Sequence, residues 1–204
     1  MGEDLGASNG RVTEAAVTVT SGSGDTLPYA VDREIDDIEA LIDRAGGPAF
    51  LYGHSSGGPL AMRAAIRLGG KVTKIAMYEP PYNNDPGAQE SWSRYLRQLR
   101  QALAEGRRGD AVALFMRFAG APAGRVDGMR RAPSWPGLEA VAPTLAYDHA
   151  AILGEPWSVP AELAAHVRVP ALVLAGRSIG SVTATLHKQR QDGSGEPGHE
   201  AVAD

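Results

Sequence analysis

One short segment of the chain carries residues suited to nucleophilic catalysis. The segment FLYGHSSGGPL, residues 50–60, contains the pattern Gly-x-Ser-x-Gly with Gly53, Ser55 and Gly57. A serine hydroxyl is a weak nucleophile, so catalysis needs a histidine that accepts its proton and a carboxylate that orients the histidine. Because the chain has 25 glycines, the pattern alone is weak, and the elements around it decide its meaning.

The elements on both sides of this pattern favour a catalytic turn. The apolar run AFLYG predicts a buried parallel strand, and the alanine-rich GPLAMRAAIRLGG predicts a helix with Pro59 in its first turn. Such a strand–turn–helix exposes Ser55 above the carboxyl edge of a sheet. The flanking glycines are expected where the turn has no room for a Cβ atom. We expect the backbone N–H of Ser56, at the helix N-terminus, to stabilise an oxyanion.

A second match to the pattern occurs later in the chain. GRSIG, residues 176–180, also follows a predicted strand. The sequence after it, SVTATLHKQRQDG, is first β-branched and then polar, which is a poor helix to support such a turn. We therefore interpret Ser178 as a polar loop residue and prefer Ser55 as the nucleophile.

The rest of the chain predicts an α/β protein. We expect a strand at Ala15–Thr20, a helix that Asp32 caps and Gly46 ends, a strand at Val72–Tyr78 and a strand within VPALVLAG, residues 169–176. Helical segments fill the interval before that last strand. This order predicts a partial doubly wound, mostly parallel sheet with an inserted helical lid at about residues 88–165.

Several of these segments together resemble a known superfamily. GHSSGG after an apolar strand, YEPP after the next strand, the helical lid and VPALVLAG after the lid resemble the α/β-hydrolase superfamily, and most closely small bacterial hydrolases with a GHSSG turn. The resemblance covers roughly residues 25–175. It implies a serine hydrolase with Ser55 as nucleophile and His54 as the residue that commonly precedes it. It implies neither a metal nor a cofactor.

The resemblance also directs the search for the carboxylate. The usual position in the superfamily is the loop after the strand ALVLAG, but here that loop reads RSIGS and has no acid. Some members place the acid after the preceding strand, where this chain has Glu79 followed by Pro80 and Pro81. The prolines would stiffen the exit of the strand. A solvated charge at a strand end is an equally good interpretation of Glu79.

No histidine stands in a clear catalytic position. The superfamily's histidine follows a final strand, and GEPGHE around His199 resembles such a loop without an apolar strand before it. His149 belongs to the predicted lid and is the other weak candidate. We expect His54 to point away from the base position, His166 to be structural, and His187 to lie in a polar tail.

Composition and the chain ends complete the predictions. The net charge of −4, the absence of cysteine and of long apolar runs, and an N-terminus unlike a secretory signal favour a cytoplasmic protein that binds neither nucleic acid nor membranes. We divide the chain into residues 1–24, poorly ordered or a short strand; 25–186, a hydrolase-like core; and 187–204, a disordered tail. The front strands of the superfamily have no match here, which predicts weak or no activity and self-association through an uncovered sheet edge.

Two alternatives remain open at this stage. One is a truncated, non-catalytic domain that acts at most as a binding module. The other is a hydrolase of small ester-like substrates, and the lack of a clear catalytic histidine is compatible with both.

The helical segment is also rich in arginine, which we interpret mainly as a solvated face. The other interpretation is that it attracts anionic substrates or docks on the acidic front half of the chain. These arginines are Arg94, Arg97, Arg100, Arg107, Arg108, Arg117, Arg125, Arg130 and Arg131.

Overall fold

The computed structural model describes residues 29–147 and 152–174. The predicted strand at Ala15–Thr20 and the predicted tail from His187 lie outside these residues. The elements in chain order are α1 Val31–Ala45, β1 Ala49–His54, α2 Gly57–Leu68, a 3-10 turn Gly69–Lys71, β2 Val72–Tyr78, α3 Pro86–Ala104, α4 Arg108–Phe118, α5 Ala123–Met129, α6 Trp135–Val141, α7 Thr144–Ala146, α8 Ala161–Ala164 and β3 Ala171–Leu174.

The described strands form one parallel sheet with the order β1-β2-β3. Residues 50–54 of β1 pair in register with residues 74–78 of β2, and residues 75–78 of β2 pair with residues 171–174 of β3. The helices α3 to α8 all lie in the chain between β2 and β3. The predicted order of elements is therefore confirmed for this part of the chain.

Helix α1 begins differently from the prediction. Its N-cap is Ala30, and no side chain caps it, so the prediction that Asp32 caps the helix is wrong. Asp32 lies inside the first turn, where its carboxylate pairs with Arg67 at 3.2 Å instead of with the helix backbone. The C-terminal prediction is confirmed, because Gly46 has a φ of 85° in the left-handed region that glycine adopts without strain.

The acidic face of α1 packs on the end of α2 and the turn that follows it. Lys71 Nζ lies 2.8 Å from Glu39 Oε1 and 2.7 Å from Asp43 Oδ1, and Arg67 pairs with both Asp32 and Asp36. These four acids of α1 thus pair with basic residues at the end of α2 and in the turn that follows it. The idea that the arginine-rich helices dock on this acidic segment is wrong for α1.

The described sheet is covered on one face only. Ile75, Val72 and Met77 are buried in a core that α1, α2 and residues near α8 complete. On the other face, Phe50 is 70% and Tyr52 66% exposed. The described elements leave this face uncovered, and the burial of AFLYG on both faces stays a prediction. We call the uncovered face the open face; by register it comprises Phe50, Tyr52, His54, Lys74, Ala76, Tyr78, Leu172 and Leu174.

The helices between β2 and β3 have a hydrophobic core of their own. Trp92, Tyr95 and Leu99 of α3 are each at most 3% exposed. The Trp92 and Trp157 rings stack with centroids 4.8 Å apart, and Tyr95 stacks on Phe118 at 4.4 Å. The aromatic residues Trp92, Tyr95 and Trp157 are therefore core residues of the helical block.

Most arginines of the helical block have acidic partners, as expected of a solvated face. Asp110 accepts from Arg130 and Arg107, and these guanidinium groups lower the pKa of its carboxyl group. Such exposed pairs contribute little to stability. The paired residues are Arg94 with Glu90, Arg100 with Glu155, Arg107 with Glu105 and Asp110, Arg117 with Asp127, and Arg130 with Asp110.

Helix α3 starts with a side-chain cap that allows a direct test. Asp85 Oδ1 accepts from the Ala88 N–H at 2.8 Å, and Pro86 occupies the first helical position. We expect Asp85→Ala to lower the free energy of unfolding by about 1 kcal/mol in urea titrations. Asp37→Ala, at an exposed position inside α1, is the matched control and should show no such loss. Equal stability of both variants would contradict the capping role.

Candidate active site

Ser55 occupies a sharp turn between β1 and α2. Its φ of 52° lies in the left-handed region, which residues other than glycine rarely adopt. The Ser55 N–H donates to the Tyr78 carbonyl at 2.9 Å, and the Ser55 carbonyl accepts from the Gly58 N–H at 3.0 Å. The first bond extends the β1–β2 ladder by one residue beyond the strand. The turn is thereby fixed at the carboxyl edge of the sheet, as the motif predicted.

The glycines around Ser55 differ in their roles. A Cβ atom on Gly53 would overlap the Gly57 carbonyl group, so this position has no room for a side chain. A Cβ atom on Gly57 would have no neighbour within 4 Å, so the expectation that this glycine is required for lack of space is wrong. Gly58 is the other close approach, because its Cβ would lie 3.2 Å from Met77 Cβ. The turn thus needs Gly53 and favours Gly58, which the sequence pattern did not single out.

The N-terminus of α2 faces the turn. Ser56 is the N-cap residue, and the first turn of α2 contains no acidic residue. Among the described residues, no backbone carbonyl accepts the Ser56 N–H. A free N–H at the positive end of a helix dipole favours negative charge close to the Ser55 side chain.

Glu79 follows β2 with the same unusual backbone conformation. Its φ is 50°, and its N–H donates to the Leu174 carbonyl at 2.9 Å, which extends the β2–β3 ladder. In the described part of the chain, Ser55 and Glu79 are the two residues other than glycine with a positive φ. They directly follow His54 and Tyr78, which are paired in register. The sequence-predicted nucleophile and acid are therefore neighbours at the end of two adjacent strands.

Tyr78 is a neighbour of Glu79 that the sequence analysis missed. The charge of Glu79 is the main cause of a raised pKa of the Tyr78 phenol, with burial and a hydrogen bond to Glu79 adding to it. The Tyr78 ring also lies 5.4 Å from the His54 ring. Side chains alternate along a strand, so the sequence already predicts that Tyr78 lies on the same face of β2 as Lys74. The position of the Tyr78 ring could therefore have been inferred from the sequence.

The described histidines stand apart from the turn's chemistry. His54 is exposed on the open face beside Tyr78, and the His166 Nδ1 lies 2.9 Å from the Glu162 carbonyl just after α8. The latter contact agrees with the structural role expected for His166. The other histidines, His149, His187 and His199, and the second candidate serine, Ser178, lie outside the described residues.

Residues 29–147 and 152–174 contain neither a metal-binding cluster nor a membrane-spanning helix. No group of three or more His, Asp or Glu side chains there could hold a metal ion. No helix there is both long enough and apolar enough to cross a membrane.

The chain belongs to the alpha/beta hydrolase family, because the model of that family matches residues 5–199. A solved alpha/beta hydrolase from Sphaerobacter thermophilus is 42% identical, with a TM-score of 0.66 over 84% of this chain and 67% of that chain. The alpha/beta hydrolase fold, with its parallel sheet and flanking helices, is therefore the fold of this protein.

More distant structures also match. NosK from Streptomyces actuosus is 25% identical with a TM-score of 0.44, covering 78% of this chain and 60% of that chain. An E-2-(acetamidomethylene)succinate hydrolase is 18% identical with a TM-score of 0.38, covering 84% and 75%. No curated protein matches the chain significantly.

The different surroundings of the two glycines in the motif give a matched pair of variants. We expect Gly53→Ala to destabilise the protein by at least about 2 kcal/mol, because the added methyl group meets backbone that cannot rotate away. Gly57→Ala should change the free energy of unfolding by less than about 0.5 kcal/mol. Urea unfolding of both variants measures the difference. A Gly57→Ala variant as unstable as Gly53→Ala would contradict this account of the turn.

Proposed function

We propose that this protein is a serine hydrolase of ester or related acyl bonds in small molecules. Ser55 is the nucleophile, Glu79 orients a histidine base, and the Ser56 N–H binds the oxyanion. The reaction needs no metal or cofactor. The family, which is a hydrolase family, supports the reaction class, and the geometry of the turn supports the assignment of residues.

One observation carries the proposal. Of the described residues other than glycine, those held at positive φ are Ser55 and Glu79, at the ends of adjacent parallel strands. Each such residue costs of order 1–3 kcal/mol and persists only where the surrounding structure imposes it. Strained backbone of this kind clusters at active sites, and these are the residues chosen from the sequence for their chemistry.

The proposed reaction follows acyl transfer through a covalent intermediate. Ser55 Oγ attacks the acyl carbon while its proton passes to the histidine, and the carbonyl oxygen becomes an oxyanion close to the Ser56 N–H. The bond to the leaving oxygen then breaks, and the histidine returns the proton to that oxygen. Water repeats the sequence on the acyl-enzyme, which releases the carboxylic acid and restores Ser55.

The base of this reaction is assigned only as a class of residue. His199 and His149 are the sequence candidates, and both lie outside the described residues. His54 is a poor candidate because it directly precedes the nucleophile at the end of β1, where its side chain is expected to point away from the position of the base. The Glu79 carboxylate lies close to Tyr78 at the end of β2. A histidine that Glu79 orients would therefore also lie at this end of the strand.

A second candidate function is a non-catalytic binding module. The exposed apolar side chains of the open face favour it, since Phe50, Tyr52 and Leu172 are each at least 45% exposed. Exposed apolar patches of this kind often mark interaction sites. In that case the protein would associate with a second copy, either through this face or through the edge of β1 that no described strand pairs with. The cytoplasmic location expected from the sequence stays a prediction under either function.

Labelling with a fluorophosphonate probe separates the two functions. We expect the probe to label Ser55, because the probe reacts with activated serines and the turn presents Ser55 beside the Ser56 N–H at the N-terminus of α2. Ser55→Ala should abolish labelling, and the matched Ser178→Ala should retain it. Peptide mapping of the label gives the site directly. Labelling that survives Ser55→Ala would exclude Ser55 as the nucleophile, and no labelling at all would favour the binding module.

The role of Glu79 has its own test. If Glu79 orients the base, Glu79→Gln should lower aryl-ester turnover per folded molecule by about 100-fold or more while it preserves the size of the side chain. Glu90→Gln, which removes an exposed carboxylate that pairs with Arg94, is the control and should leave turnover unchanged. Thermal melting of both variants corrects for folding. A lower melting temperature with normal turnover would make Glu79 a structural residue.

A further inference from the structure

A small cavity lies on the covered side of the molecule, between α1, α2 and α8. Its volume is about 250 Å³. Ile35, Ile66 and Leu163 give it an apolar wall, and Arg63, Arg67 and Asp32 give it a charged wall. It is smaller than the usual drug-sized pocket of about 300–1,000 Å³, so any ligand it takes must be small. None of the residues proposed for acyl transfer lines it.

The two arginines of the cavity are in opposite electrostatic situations. Arg67 pairs with both Asp32 and Asp36, so its charge is balanced. Arg63 has no carboxylate partner in the described chain. Its one hydrogen bond is a long one, from Nη2 to the Ile152 carbonyl at 3.4 Å, and its Nε is buried without any partner.

The described groups around Arg63 do not neutralise its charge, because Asp32, the acid that also lines the cavity, pairs with Arg67. The nearby Tyr82 is 3% exposed, and burial raises the pKa of its phenol to about 12, although the charge of Arg63 acts in the opposite direction. Tyr82 is therefore neutral at physiological pH. The Arg63 Nε is thus a buried donor without a described hydrogen-bond partner, and unsatisfied buried donors are costly.

We propose that this cavity binds a small amphipathic carboxylate. The carboxylate pairs with the guanidinium of Arg63, and the short hydrocarbon chain packs on Ile35, Ile66 and Leu163. Guanidinium and carboxylate groups fit each other through two parallel hydrogen bonds, which satisfies several donors at once. The site is separate from the proposed serine chemistry, and its occupancy does not require Ser55 or Glu79.

The charge pattern favours a monocarboxylate over a phosphate. Asp32 also lines the cavity, so a doubly charged group would meet a further negative charge there. One unpaired guanidinium balances one negative charge. The apolar lining in turn favours a ligand with a hydrocarbon portion, because the partly exposed Ile66 and Leu163 would stay in contact with water beside a bare ion such as acetate.

The test compares hexanoate with hexan-1-ol, using calorimetric titration of the full-length protein. We expect saturable binding of hexanoate, and binding at least about tenfold weaker for the alcohol, because the alcohol lacks the charge that Arg63 pairs with. Arg63→Met keeps the apolar stem and should weaken hexanoate binding by about tenfold or more. Arg44→Met, an exposed position in the last turn of α1, is the matched control and should bind as the original protein does.

A second variant keeps the proposal testable if Arg63→Met does not fold. Ile66→Trp fills the cavity while it leaves Arg63 in place, and it should abolish hexanoate binding. The proposal is overturned if hexanoate and hexan-1-ol bind equally, if Arg63→Met or Ile66→Trp binds hexanoate as tightly as the original protein, or if hexanoate does not bind. A positive result with no fluorophosphonate labelling would show that the site exists whether or not the protein is a hydrolase.

Discussion

The structure of the candidate site depends on backbone hydrogen bonds that continue past the ends of the strands. The Ser55 N–H bonds to the Tyr78 carbonyl, and the Glu79 N–H bonds to the Leu174 carbonyl, each at 2.9 Å. In both cases the residue that has just left its strand is still held by the neighbouring strand. This is what allows a side-chain-bearing residue to stay at positive φ. The parallel order β1-β2-β3 makes both bonds possible, because it brings the carboxyl ends of all three strands to one edge.

The molecule divides its apolar residues between two cores. One joins the sheet to α1, α2 and residues near α8, and the other holds the helices between β2 and β3 together through Trp92, Trp157 and their neighbours. Tyr82 belongs to the helical core and lies close to Arg63 of α2, so this pair stands where the two halves meet. The Arg63 guanidinium group at this boundary has one long hydrogen bond to a described protein atom. This is the reason to propose a ligand in the adjacent cavity.

The sequence predicted the elements whose periodicity is strong. β1, β2 and α2 lie where their apolar patterns placed them, because a continuous apolar run beside an alanine-rich segment has few other solutions. Helix starts were less predictable: Asp32 was taken as a cap and instead pairs with Arg67, a long-range contact that no local pattern contains. Asp85, which does cap a helix, was missed because the apolar pattern of α3 begins several residues after it.

The candidate site was predictable to a similar extent. Ser55 and Glu79 were chosen from residue type and position, and their shared backbone conformation is consistent with that choice. The sequence could not assign Gly58 its role, since that depends on the distance between this residue of α2 and Met77 of β2. The exposure of Phe50 and Tyr52 was also not predictable, because the apolar composition of a strand does not say which elements cover each face.

The left-handed backbone at Ser55 and Glu79 has a consequence for how this sequence can change. Glycine adopts that conformation at no steric cost, so at both positions the most stable residue is one that has no chemistry to offer. Backbone stability and the proposed reaction therefore favour different residues at these two positions. Under the proposed function, a homologue that has lost the reaction would gain stability from glycine at either position. A homologue that keeps the reaction must also keep a less stable sheet edge.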